Sequence, residues 1–109
     1  MKLFLDDIRS IPSGYEGVRS YEECIRFMKN NKGKINEISL DYDLDEIRNG
    51  YNVCEWIVNN KFFENIEEIN IHSSDERNVK RMIVYLRENI PENIRISYLD
   101  NKRNLIYFN

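Results

Sequence analysis

Residues 2–7, Lys2-Leu3-Phe4-Leu5-Asp6-Asp7, decide the fold. A short apolar run stopped at once by two carboxylates suits a buried first strand whose end carries the chemistry. Two adjacent carboxylates repel each other unless a cation or an arginine sits between them. Residues 8–17 contain Pro12 and Gly14 and lack a helical period, which makes them a loop. Residues 17–19 add a short strand. Ser20 with Glu23 forms a capping box, and Tyr21, Cys24, Ile25 and Met28 share one face of the helix behind it. Gly33 lies in the polar stretch that ends this helix.

The same alternation continues to the end of the chain. Residues 35–40 form a strand that runs into Asp41, and a loop rich in Asp and Asn follows to Gly50. Residues 51–60 form a helix with Val53, Trp56 and Ile57 inward. Residues 68–71 form a strand ending at His72. Ser73 and Glu76 then read as a second capping box, with Val79, Met82, Ile83 and Leu86 on the buried side of its helix. Residues 94–99 and 105–108 are strands, and the polar turn between them makes a terminal hairpin. Strands alternating with helices predict a mainly parallel sheet covered by helices. In such sheets the site lies outside the carboxyl ends of the strands. Those ends read Asp6-Asp7, Asp41 and His72-Ser73-Ser74, so the reactive side chains fall on one edge.

Composition limits the alternatives. A chain of 109 residues, 41% hydrophobic and 32% charged, is expected to form one domain over 1–109, neither disordered nor membrane-spanning. A net charge of -3 argues against a broad basic surface for duplex DNA. The N-terminus has no apolar signal segment. Cys24 and Cys54 sit in helical patterns and read as reduced core residues of a cytoplasmic protein.

Asp6, Asp7 and Asp41 together offer an oxygen-rich pocket suited to Mg²⁺. Asp41, just past a buried strand, can ligate metal, accept a phosphoryl group or act as a base. Asp43 fits a turn in the following loop. His72, the single histidine, is a proton carrier by chemistry, although a lone histidine is often structural. Ser73 and Ser74 have hydroxyls for phosphate at the start of the next helix, where a capping role is the competing explanation. Arg9, Arg77 and Lys80 are candidate phosphate contacts.

These residues carry a family resemblance. LFLDD at 3–7, Asp41 followed by Gly50 and a helix, and the serines after His72 resemble the acidic pair, acceptor strand and hydroxyl switch of response-regulator receivers. LFLDDIRSIP at 3–12, SLDYDL at 39–44, Gly50 and IHSS at 71–74 are more closely similar to the cyclic-phosphate processing receiver-like domains. The resemblance implies a three-layer, receiver-like (flavodoxin-like) fold with a mainly parallel sheet. Its first helix is reduced here to the 8–17 loop. It also implies work on 2′,3′-cyclic phosphate ends of RNA or nucleotides. Asp41 and His72 would be catalytic, Asp6, Asp7 and Asp41 would hold Mg²⁺, and Arg9, Tyr42, Ser73 and Ser74 would contact phosphate. Two departures stand out. Tyr42 occupies the place where that branch usually has histidine, and no Lys-Pro follows the fifth strand. Two alternatives stand beside this expectation: a receiver phosphorylated on Asp41, and a non-catalytic module that binds a protein partner, as a phage or mobile element would encode.

Overall fold

A computed structural model describes residues 1–108. The elements run β1 (Lys2–Leu5), β2 (Tyr15–Val18), α1 (Tyr21–Asn30), β3 (Glu37–Leu40), α2 (Gly50–Asn59), β4 (Glu68–Ile71), α3 (Glu76–Asn89), β5 (Arg95–Leu99) and β6 (Leu105–Phe108). One six-stranded sheet has the order β2-β1-β3-β4-β5-β6. Its first five strands are parallel, and β6 closes an antiparallel hairpin with β5. β2 begins two residues earlier than its sequence pattern indicates. Gly14, at φ 87°, reverses the chain and delivers Tyr15 directly opposite Lys2.

The sheet has two unlike faces. Leu3, Ile38, Ile69 and Ile96 form one row across the strands, and Leu5, Leu40 and Ile71 form the next. Both rows are buried in one cluster with Cys24, Met28, Val53, Cys54, Ile57, Met82 and Leu86 from all three helices. α1 packs on α2, and α2 on α3. The reason is handedness: the crossovers β2 to β3, β3 to β4 and β4 to β5 all step the same way along the sheet. Right-handed connections therefore place their helices on one face. The step from β1 to β2 runs the other way, and its connection is the loop. The second-face layer of a receiver is thus reduced to that loop. The row it leaves on that face is Phe4, Ser39, Asn70, Ser97 and Tyr107.

The helix caps follow the sequence in one case and depart from it in another. The Ser20 hydroxyl accepts from the Glu23 amide, 3.2 Å, which is half of the expected box; the Glu23 carboxylate accepts from the Arg19 amide at 3.3 Å and not from that of Ser20. The expected Ser73/Glu76 box does not form. α3 is capped by Asp75, whose Oδ1 accepts from the Asn78 amide at 3.2 Å. Ser73 stays one turn back, its hydroxyl accepting from the Asp75 amide, 3.2 Å. A serine and an aspartate two residues apart compete for the cap, and local spacing does not reveal the winner. Cys24 and Cys54 are free and buried. Burial pushes the Cys24 thiol up to about 12 and raises Cys54 further, so both stay protonated. Among the described residues no helix is long and apolar enough to cross a membrane.

Candidate functional site

The acidic edge follows from the pairing of β1 and β3. Leu5 stands opposite Leu40, so the next residues, Asp6 and Asp41, leave adjacent strands side by side. The Asp41 amide donates to the Leu5 carbonyl at 3.0 Å and locks that registration. Carboxylate oxygens of Asp6, Asp7 and Asp41 lie within 4.8 Å of one another. Gly50 brings the start of α2 against this edge. A Cβ there would lie 2.0 Å from the Asp41 carbonyl oxygen, and the Gly50 amide donates to the Tyr42 carbonyl at 2.8 Å. Only glycine permits that approach.

The three aspartates are held differently. Asp6 is fully buried, and its Oδ1 accepts from the amides of Ile8 and Arg9 at 3.0 and 2.9 Å. Its Oδ2 faces Arg9 Nη1 at 3.2 Å and His72 Nε2 at 3.1 Å. Burial by itself would raise the Asp6 carboxyl. The amides of Arg9 and Ile8, with His72 and the Arg9 guanidinium, outweigh it and hold the group below its ordinary value. Asp41 is pushed the other way, up to about 6, by burial and then by the charge of Asp6. Its Oδ1 accepts from the Tyr42 amide at 2.8 Å. The half-buried Asp7 carboxylate has no hydrogen-bond partner among the described residues. Asp6 therefore braces the loop, while Asp7 and Asp41 carry the open oxygens.

His72 lies beneath the edge, stacked on Phe4 with ring centroids 4.2 Å apart and planes 5° from parallel. Burial pushes its imidazole down to about 4; Asp6 opposes that shift and Arg9 adds to it. At neutral pH the ring is uncharged, with Nε2–H on Asp6. Nδ1 is 2.8 Å from the Ser39 hydroxyl, which is also 2.8 Å from Asn70 Oδ1. One hydroxyl hydrogen serves one of these partners at a time. Ser39 thus donates to a bare Nδ1, or accepts from Nδ1–H while turning its hydrogen to Asn70. The site accommodates both protonation states of His72. The chain continues across the second face through Asn70 Nδ2 on Ser97 Oγ, 2.9 Å, and Ser97 Oγ on Glu68, 2.7 Å.

The other expected residues divide. Arg9 is anchored through Nη1 on Asp6 and on the His72 carbonyl, which leaves its remaining guanidinium donors open. Ser73 is buried beside Asp41, Ser74 is exposed, and both border a groove with Arg9 and His72. The Tyr42 hydroxyl instead accepts from Asn49 Nδ2, 3.2 Å, at the α2 cap. Asp43 makes the expected turn, its Oδ1 accepting from the Asp45 amide at 3.0 Å. Arg77 and Lys80 border no part of the groove. Sequence reasoning missed Phe4, Ser39 and Asn70, which hold His72. It also missed Arg19, whose guanidinium bonds the Asp6 and Arg9 carbonyls and braces the loop. The available signal was the polar Ser39 between the apolar Ile38 and Leu40.

The model of the cyclic-phosphate processing receiver domain family matches residues 1–88. The chain belongs to this family. The match spans every residue of the acidic edge and stops within α3, so the β5–β6 hairpin lies outside it. No curated protein and no solved structure gives a significant match to the chain. Within this receiver domain the donor set is all oxygen, and the mutual repulsion that raises Asp41 is the kind a divalent cation relieves. The residues fit such an ion: Asp7 and Asp41 would offer it their open oxygens, and Asp6 would add charge from behind.

Proposed function

We propose that the carboxyl edge of the sheet binds a phosphate ester together with Mg²⁺, and that the ester is a 2′,3′-cyclic phosphate. The observation that carries this reading is the pairing of opposite charges at one edge: three clustered carboxylates beside an arginine that Asp6 fixes in place. When bound, Mg²⁺ offsets charge on the phosphoryl oxygens. The open donors of Arg9 and the hydroxyls of Ser73 and Ser74 take the phosphate oxygens. Hydrolysis adds water at phosphorus and breaks one ring P–O bond, and a proton ends on the released ribose oxygen. His72 is the carrier for that proton, exchanged on its Nε2 side, where Asp6 joins it to the acidic edge; its contact with Ser39 tolerates either protonation state, and the Asp6 carboxylate stabilises its charged form.

The test follows a 2′,3′-cyclic mononucleotide by ³¹P NMR with Mg²⁺ present. Conversion to a phosphomonoester is expected, with His72→Ala reducing the rate by about 10²-fold or more. Tyr42→His should raise the rate, because a phenol titrates far above neutrality. If wild type and Tyr42→His are both inert while folded, the hydrolytic reading fails. A phosphorylated Asp41 after treatment with a small phosphodonor would instead favour a phospho-accepting receiver.

A further inference from the structure

The loop that replaces a helix between β1 and β2 leaves part of the second face uncovered. It packs at the β2 side, where Ile11 lies against Gly17. Between this loop and the β5–β6 turn runs a groove of about 270 Å³, close to the lower end of the ~300–1,000 Å³ typical of small-molecule sites. It begins at the acidic edge, bordered by Arg9, His72 and Ser73. Phe4, Pro12 and Leu99 make it apolar further along, and Asn101 and Arg103 form its far rim.

The far rim is built with care. Asp100 organises the turn: its Oδ1 accepts from the Lys102 and Asn104 amides at 2.9 and 2.7 Å, and its Oδ2 from Asn104 Nδ2 at 3.3 Å. Its carboxylate is thereby committed to the turn. Arg103 is held at φ 65°, and among the described residues its guanidinium has neither an ion pair nor a hydrogen bond. An arginine so placed, at the end of an amphipathic groove whose other end holds phosphate donors, matches a ligand with two anionic groups separated by a less polar body.

We propose that this groove holds the nucleoside attached to the phosphate bound at the acidic edge, and that Arg103 takes the next phosphate along the chain. This rests on the phosphate-ester reading above and extends it: the ligand is an oligonucleotide end, not a mononucleotide. The hairpin that supplies Arg103 lies outside the family match, so the match by itself does not assign this contact. The apolar stretch suits the face of a base or sugar, and the Asn101 amide oxygen, left over while Nδ2 donates to Glu76 at 3.4 Å, can accept from its edge. The internucleotide phosphate then meets a guanidinium with open donors.

Calorimetry with two unreactive probes, adenosine 3′-monophosphate and the dinucleotide ApAp with a 3′-terminal phosphate, tests the proposal. Wild type should bind ApAp about fivefold more tightly, as one exposed arginine–phosphate contact allows. Arg103→Asn removes the charge with a residue that tolerates positive φ. It should erase that difference and leave adenosine 3′-monophosphate unchanged. Equal binding of both probes by wild type, or equal weakening of both by Arg103→Asn, overturns the groove assignment and leaves the acidic-edge reading standing. No binding of either probe overturns both.

Discussion

At the scale of single residues, Gly50 and the Asp41–His72 pair have the most consequence. Gly50→Ala places a methyl group on the Asp41 carbonyl. Backbone must move to relieve it, so we expect a loss of about 1–3 kcal/mol in urea unfolding, with weakened Mg²⁺ binding. Unchanged stability would show that α2 starts further from the edge. Asp41 and His72 set opposite pH slopes in the cation-free protein. The raised Asp41 carboxyl makes the native state hold a proton that the unfolded state releases between 3.8 and about 6, so stability falls as pH rises through that window. His72, lowered from 6.5 to about 4, makes the unfolded state hold the extra proton, so stability rises with pH between about 4 and 6.5. The two slopes offset in wild type. Asp41→Asn should unmask the rising slope and His72→Gln the falling one, measured as urea midpoints in EDTA from pH 4 to 7. Parallel profiles in wild type and both variants would contradict the assignments.

At the scale of elements, the polar chain under the sheet is what the second face contributes to the site. Ser39→Ala leaves His72 Nδ1 and Asn70 Oδ1 facing each other without the hydroxyl between them. Such buried orphans cost about 1–3 kcal/mol. The C2–H resonance of the single histidine should shift with Ser39→Ala at neutral pH, because its Nδ1 partner is gone. An unmoved resonance with full stability would show that Ser39 does not touch the ring. These elements were legible to different degrees. The strands at 2–5, 68–71 and 105–108 were visible to the residue, because apolar runs stop at charge or at a turn. The start of α3 was not, since Ser73 and Asp75 both have capping chemistry and the cap formed on Asp75. Ser39 and Asn70 escaped because alternation along a strand shows that two faces differ, without showing which neighbour each polar group meets.

At the scale of the whole molecule, the strand order explains both the covered and the open face. The acidic cluster was foreseeable, because Asp6-Asp7 and Asp41 close neighbouring parallel strands, and parallel strands align their ends. The groove was not foreseeable, because it depends on how far the loop reaches across the sheet and on the curl of the β5–β6 turn. The family match covers the acidic edge, and the β5–β6 hairpin that borders the groove as one wall lies beyond it. A truncation removing residues 100–108 also strips Phe108 from the core, so the point change Arg103→Asn is the cleaner probe of that wall.

Asp7 and Asp41 are proposed to hold a divalent cation at this edge. Thermal melts in millimolar MgCl₂ against EDTA test it most directly. Wild type should melt higher with Mg²⁺ at pH 7. The gain should shrink as pH falls through about 6, where Asp41 takes up its proton, and should vanish in Asp7→Asn/Asp41→Asn. An equal gain in wild type and the double variant, or no gain in wild type at pH 7, would contradict the account.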